Sequence, residues 1–252
     1  MSGNRLEGKV ALITGGARGM GAIEAELFVS EGASVVITDV RESEGLETAK
    51  RISPDGSKCI FLCHDVTDEL DWETVVSTTT HTFGRLDVLI NNAGIFEAGN
   101  VLDTKLDDFK RMTEINQYGV FLGMRAAAHV MTQQRSGSII NLSSIAGIQG
   151  APGFIAYAAS KWAVRGMSRS AAKELAQFGV RVNSIHPGLI NTQMLKTIDD
   201  LGEGIRQQLD QGTPLGREGE AIEIARMALF LASDESSYAT GGEFVIDGGR
   251  TA

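Results

Sequence analysis

The 252-residue sequence predicts a single α/β domain over residues 1–252, built on a doubly wound parallel sheet of seven strands with helices on both faces. Three observations predict it. Short apolar runs alternate with helix-length segments from Lys9 to Ile246, the rhythm of strand–helix–strand units. The runs are apolar enough to be buried on both faces, as strands of a parallel sheet are. No Pro/Ser-rich linker, repeat or low-complexity tract divides the chain, and 42% hydrophobic with 22% charged residues suits one large core.

The first run, Lys9–Thr14 (KVALIT), leads straight into GGARGMG. Gly15, Gly19 and Gly21 let the backbone turn tightly and approach a pyrophosphate, while a helix opening near Gly19 aims unpaired N–H groups and its positive dipole end at that anion. A plain turn is the competing reading of any glycine cluster. Context favours the nucleotide: a second run, Ser34–Thr38, ends in Asp39, 18 residues past Gly21. A dinucleotide fold puts the carboxylate for the adenosine ribose hydroxyls at an offset of about 20.

Alternation continues with helix Glu42–Ile52, strand Lys58–Cys63, helix Glu69–Phe83 and strand Asp87–Asn91. After NNAG (Asn91–Gly94) comes a continuous helical stretch from about Leu106 to Gln133, then a strand from Ser138 into Ser143, then an Ala-rich helix. Val180–Ile185 is the sixth strand, stopped by His186-Pro187-Gly188. From Asn191 to Pro214 the pattern weakens among several glycines, which predicts a lid that covers a site. A helix at Ala221–Ala232 and a seventh strand at Glu243–Ile246 precede a terminal DGG, Asp247–Gly249.

The chemistry concentrates in Asn141–Lys161, NLSSIAGIQGAPGFIAYAASK. Tyr157 and Lys161 stand four apart and so share a helix face. An ammonium near a phenol favours the phenolate, pulling a pKa of about 10 toward the range where a general acid/base works best. Ser144, at the end of the apolar run Ser138–Leu142, could hydrogen-bond the same substrate oxygen. The competing reading is a helix face with a snorkelling lysine. Of the three tyrosines, Tyr118 and Tyr238 are followed four residues on by Leu122 and Gly242, so Tyr157 alone has the lysine.

A net charge of −9 without a block of like charges speaks against nucleic acid or an anionic membrane as partner. The opening MSGNRLEGKV lacks an apolar core for export, and no apolar run approaches about 18 residues, so a cytoplasmic location is expected. Cys59 and Cys63 share a strand face in CIFLC and read as buried thiols rather than a bridge or a metal pair. His64, His81, His129 and His186 do not fall at metal-ligand spacing; no metal is predicted, and surface or loop positions are expected for all four. Ser144 lacks the G-x-S-x-G elbow of a hydrolase, and Trp72 and Trp162 read as packing residues.

TGGARGMG at Thr14–Gly21, Asp65-Val66, NNAG, Asn116, Ser144, Tyr157-x-x-x-Lys161 and Pro187-Gly188 together resemble the short-chain dehydrogenase/reductase family, in order and over nearly the whole chain. GGARGMG, NLSSIAG, YAASKWAVRGMS and RVNSIHPG are most similar to its bacterial NAD-dependent hydroxysteroid and secondary-alcohol dehydrogenases. The resemblance implies a Rossmann-like fold and a role for each matching residue. Tyr157 would be the acid/base. Lys161 would hold the nicotinamide ribose and lower the tyrosine's pKa, Ser144 would orient the substrate oxygen, and Asn116 would support a water joining Lys161 to solvent. Gly15, Gly19, Met20 and Gly21 would meet the pyrophosphate, Asp39 the adenosine ribose, Asp65 and Val66 the adenine, Asn92 a ribose, and Ile190 and Thr192 the carboxamide end. Arg18 stands where many NADP-using relatives carry a basic residue, and Arg41 follows Asp39 by two, yet Asp39 beside the 2′ position favours NAD. In the family, the helix near Leu106–Gln133 and the Tyr157 helix pair with their copies in a dimer and the last strand helps form a tetramer, so the resemblance implies a homotetramer.

The expectation is an NAD-dependent oxidoreductase for a secondary alcohol or ketone on an apolar, cyclic or steroid-like substrate. Phe96, Ile145, Phe154, Leu189, Met194 and Leu195 fall in the segments that should line the pocket, with no cationic clamp among them. Two other readings are an NADPH-dependent 3-oxoacyl thioester (acyl carrier protein) reductase and a catalytically silent nucleotide-sensing protein. The complete set Asn116, Ser144, Tyr157, Lys161 weighs against the last.

Overall fold

The computed structural model describes residues 4–195 and 212–252. Its strands in chain order are β1 (Val10–Thr14), β2 (Ser34–Asp39), β3 (Cys59–Cys63), β4 (Val88–Asn91), β5 (Gly137–Leu142), β6 (Val180–Pro187), β7 (Ile190–Asn191), β8 (Gly219–Glu220) and β9 (Glu243–Ile246). Seven of them form one sheet in the order β3-β2-β1-β4-β5-β6-β9, every pair parallel. β7 and β8 make a separate two-stranded pair.

Helices α1 (Gly19–Ser30), α2 (Glu42–Ile52), α3 (Glu69–Phe83), α4 (Leu106–Thr113), α5 (Gly119–Gln134), α6 (Ile155–Leu175) and α7 (Ala221–Ala232) flank the sheet. Strand periodicity sorts them. Ala11, Ile13, Val35 and Ile37 face one way and pack with Phe28 of α1, Ala49 of α2 and Ile224 and Ala228 of α7. Leu12 and Val36 face the other way, against Trp72 and Val75 of α3, Val120 and Ala127 of α5 and Val164 of α6. Both faces are therefore dry, as a parallel sheet requires. Strand order reverses between β1 and β4, so the chain leaves a crevice at their carboxyl ends, where GGARGMG and NNAG emerge.

Five expectations are corrected. The helix predicted from Leu106 to Gln133 is interrupted by a π-helical turn, Glu114–Tyr118. The extra residue in that turn carries Asn116 inward, where it is fully buried. β6 does not stop at Ile185: His186 pairs with Val245 and Pro187 with Ile246, the proline being tolerated as the last strand residue because Gly188 donates onward to Ile246 O at 2.9 Å. Cys59 is buried but Cys63 is exposed, since it ends the edge strand β3. His186 is buried on β6 rather than in a loop or at the surface; His64 lies in the loop after β3, though buried, and His81 and His129 are exposed. Trp72 is core, whereas Trp162 is 45% exposed with the Arg165 guanidinium 5.1 Å over its ring. The predicted lid, Asn191–Pro214, lies mostly outside the described residues. Among the described residues no helix is long and apolar enough to cross a membrane, and no group of His, Cys, Asp or Glu could hold a metal.

Candidate active site

The glycine turn after β1 is shaped by close approach. Gly15 takes φ +67°, and a Cβ there would lie 2.9 Å from both Ala93 Cα and Asn92 Nδ2; one on Gly21 would lie 2.5 Å from Gly15 O. Gly19 takes φ +61° and a Cβ there would meet nothing within 4 Å, so the glycine serves the left-handed backbone that opens α1 rather than close packing. Arg18, extended, caps that helix without a side-chain bond, and the first turn contains no acidic residue. An anion placed there meets N–H groups and no carboxylate from the helix's own first turn.

Asn92 braces this turn from β4: its amide nitrogen donates to Thr14 O at 2.8 Å and Gly15 O at 3.1 Å. Thr14 Oγ1 in turn accepts from the backbone of Asn92 (3.1 Å) and Ala93 (3.0 Å). Thr14, which sequence reasoning passed over, ties the two loops of the crevice together. A hydroxyl residue in the last position of an otherwise apolar strand was the available signal.

Asp39 closes β2 with its carboxylate aimed back at the turn, accepting from Ala17 N at 3.3 Å and Arg41 N at 3.1 Å. The two arginines beside it are engaged elsewhere: Arg41 Nη1 lies 3.3 Å and Arg18 Nη1 3.8 Å from Glu44. Asp65 is exposed and accepts from Thr67 N and Oγ1 at 2.9 and 2.8 Å. Val66 is buried beside it, its carbonyl held by Trp72 Nε1 at 2.9 Å. Beneath this edge His64 bonds Thr38 Oγ1 at 3.0 Å and stands edge-on to Trp72, and burial pushes its pKa down to about 4, so it is neutral.

The second half of the site is built by β5, the π-turn and α6. Lys161 is buried and its Nζ donates to Leu142 O at 2.8 Å, 5.6 Å from the Tyr157 ring centroid. Burial pushes its pKa down to about 8. Burial also raises the Tyr157 pKa, against a smaller lowering effect of the Ser144 hydroxyl. This corrects the expected direction: the ammonium is anchored on a backbone carbonyl, and desolvation of the phenol decides the sign. Asn116 Oδ1 accepts from Ile95 N at 2.8 Å while its Nδ2 donates to Ile95 O at 2.9 Å and Ser160 Oγ at 3.3 Å. Ser160 Oγ continues to Tyr157 O at 2.7 Å, and Ser143 Oγ to Lys161 O at 3.0 Å. A Cβ on Gly94 would sit 3.1 Å from Asn116 Oδ1 and 3.7 Å from Lys161 Nζ, so these groups converge.

Of the four predicted catalytic residues, Asn116 reaches the Tyr157 backbone through Ser160 and Ser144 bonds the Tyr157 hydroxyl, while Lys161 stands beside the Tyr157 ring with its backbone held by Ser143. Phe96 stands 5.2 Å from Tyr157 edge-on and 5.0 Å from Phe154, forming an aromatic wall. Ile190 is buried, and Thr192 Oγ1 donates back to its carbonyl at 3.3 Å. A cavity of about 590 Å³ at the other end of the strands, among Lys9, Asp87, Arg181 and Asp234, lies away from this chemistry. Its charged groups are already engaged, Lys9 with Asp234 at 2.7 Å, Asp87 with Arg85 at 2.6 Å and Arg181 with Leu231 O at 2.7 Å. The crevice, by contrast, fits a dinucleotide: a glycine cradle that a Cβ would fill, a helix N-terminus, and a carboxylate at the rim.

A family model described as enoyl-(acyl carrier protein) reductase matches residues 15–251. The chain is 47% identical over 252 residues to a 3-alpha-(or 20-beta)-hydroxysteroid dehydrogenase of Mycobacterium tuberculosis, covering 100% of this chain and 92% of the relative. It is 46% identical over 255 residues to an NADP-dependent (R)-specific alcohol dehydrogenase of Lentilactobacillus kefiri, covering 99% of each. Among solved structures, that of levodione reductase superposes with a TM-score of 0.91 at 37% identity, over 97% of this chain and 98% of that one.

Proposed function

This chain belongs to the short-chain dehydrogenase/reductase family, and we propose that within it the protein is an NAD-dependent dehydrogenase that interconverts a cyclic or steroid-like secondary alcohol and its ketone. The observation that carries this reading is the convergence of Asn116, Ser144, Tyr157 and Lys161 beside the crevice at the β1/β4 reversal: Ser160 links Asn116 to Tyr157, Ser144 bonds the Tyr157 hydroxyl, and Lys161 Nζ lies 5.6 Å from the Tyr157 ring. The nicotinamide, when bound, accepts or returns the hydride. The chain's own residues handle the proton and the geometry. In oxidation Tyr157 takes the hydroxyl proton while the Ser144 hydroxyl fixes the same oxygen; in reduction Tyr157 returns it. Lys161, titrating at about 8, passes the proton on at ordinary pH, with Asn116 holding a water on the route to solvent.

Gly15, Gly19, Met20 and Gly21 would cradle the pyrophosphate, Asp65 and Val66 the adenine, Asn92 a ribose, and Ile190 and Thr192 the carboxamide. NAD is favoured over NADP because Asp39 would face the 2′ position directly, while Arg18 and Arg41 are both turned to Glu44. The hydroxysteroid relative supports a cyclic substrate, as does the aromatic wall of Phe96 and Phe154. Exposed Val101, Leu102, Leu106, Phe121 and Trp162 support association of copies, which we read as a homotetramer in the cytoplasm.

The matched family model's description favours a second reading, an NADPH-dependent acyl thioester reductase. The test is nicotinamide fluorescence against cyclic alcohols, steroids and acyl thioesters, with NAD and NADP in parallel. Turnover of cyclic alcohols with NAD supports the proposal. Faster turnover of thioesters with NADPH puts the second reading first, and binding of cofactor without any turnover points to a nucleotide sensor.

A further inference from the structure

Ser144 sits at the seam between β5 and a single 3-10 turn, Ile145–Gly147, whose first bonds it supplies: its Oγ accepts from Ala146 N at 3.1 Å and its carbonyl from Gly147 N at 2.9 Å. The main-chain ladder from β5 to β6 reaches only as far as Ser143 N, which donates to Ile185 O at 2.8 Å. One residue later a side chain replaces it. His186 Nδ1 lies 3.1 Å from Ser144 O, and His186 Nε2 lies 2.8 Å from Ser184 Oγ; both residues are fully buried.

The chemistry of the partners fixes the tautomer. A carbonyl only accepts, so Nδ1 carries the hydrogen and Nε2 accepts from the Ser184 hydroxyl. Ser184 can give that hydrogen to the ring, because Gly242 O already takes its backbone N–H at 3.0 Å and lies 3.5 Å from its Oγ. The ring is neutral: burial lowers its pKa, with the Arg165 guanidinium and the Lys161 ammonium of α6 acting the same way, against the Ser144 carbonyl it bonds and the Glu243 carboxylate of β9. Ser184, His186 and Ser144 therefore form a directed chain of donors running from β6 into the reaction seam.

We propose that His186 is a positioning residue for the reaction: by holding the Ser144 peptide it keeps the Ser144 hydroxyl registered beside Tyr157. The inference rests on the reading that Ser144 and Tyr157 act on the substrate oxygen. Two substitutions separate the two ring nitrogens. His186→Asn offers an amide N–H near the Nδ1 position and can still reach Ser144 O, while His186→Gln reaches the Nε2 position and bonds Ser184 instead. The Gln variant is expected to lose about 10-fold in kcat, the effect of a small misplacement of a reacting group, with the cofactor Kd within about twofold of wild type. The Asn variant is expected to regain most of the loss. Because the Ser144 hydroxyl lowers the Tyr157 pKa, the pH profile of alcohol oxidation in the Gln variant should also move to higher pH. Wild-type kcat in the Gln variant, or equal losses in both without a change in the profile, would overturn the proposal. Ser144→Ala, measured alongside, keeps the two levels apart. A lowered kcat there with no effect of Gln removes only the role of His186, whereas unchanged kcat in Ser144→Ala removes the active-site reading and this inference with it.

Discussion

Glu24 is the least comfortable residue in the fold and yields a quantitative prediction. It lies on the inner side of α1 with Gly21, Ala25 and Phe28, fully buried, and neither carboxyl oxygen has a hydrogen-bond partner. Burial raises its pKa from 4.5 to about 8, so it folds as the neutral acid at pH 7. Between those values the native state holds a proton that the unfolded state has released. Stability is therefore greatest below about 4.5, falls as pH rises, and levels off above about 8. At about 1.4 kcal/mol per pKa unit, the loss attributable to this group between pH 5 and pH 8 is roughly 3–4 kcal/mol. Glu24→Gln removes the proton and keeps the shape; Glu24→Leu also removes the unpaired polar atoms. Urea denaturation at fixed protein concentration, followed by circular dichroism at pH 5, 6, 7 and 8, should show each variant gaining on the wild type as pH rises, with Leu ahead of Gln. A difference between wild type and Gln that stays constant over this range would show that Glu24 does not bind a proton in the folded state, and the reasoning fails.

Lys161 gives the opposite pH signature. Its pKa falls to about 8 from 10.5, so the unfolded chain binds the extra proton and wild-type stability should rise by roughly 3 kcal/mol from pH 8 to pH 10.5. Lys161→Met should abolish that rise in the same denaturation experiment, while weakening both cofactor binding and rate. Asp39→Ala should lower kcat/KM for NAD and raise it for NADP, each by about 10-fold, the scale of one charged contact. Arg18→Ala on that background should reverse the gain, measured as the ratio of the two kcat/KM values; wild-type preference for NADP would contradict the assignment.

Much of this was legible in the sequence because local signals and tertiary structure agree. α2, α3 and α7 begin and end where predicted. Asp68 caps α3 by accepting from Leu70 N and Asp71 N, Gly84 ends it in the left-handed region, and Glu220 with Glu223 forms a capping box on α7. That Asn116, Ser144, Tyr157 and Lys161 come together in space was legible through motif spacing. What was not legible depends on packing across the sheet. The π-turn goes with Asn116 side-chain bonds to the Ile95 backbone, 21 residues away, and leaves no trace in a pattern read at helical period. The burial of His186 follows from β6 running on to pair with β9, and that of His64 from its place between Thr38 and Trp72. The direction of the Tyr157 shift was missed because spacing reveals the neighbouring charge but not the loss of water.

The central claim is that Tyr157 carries the substrate proton while the hydride moves to or from NAD. The most direct test is kcat for oxidation of a cyclic secondary alcohol by Tyr157→Phe, with NAD affinity measured on the same protein. Removing only the phenolic oxygen should leave NAD binding nearly unchanged and lower kcat by at least about 10²-fold, the scale of a general acid/base contribution. Wild-type turnover in Tyr157→Phe would contradict the mechanism.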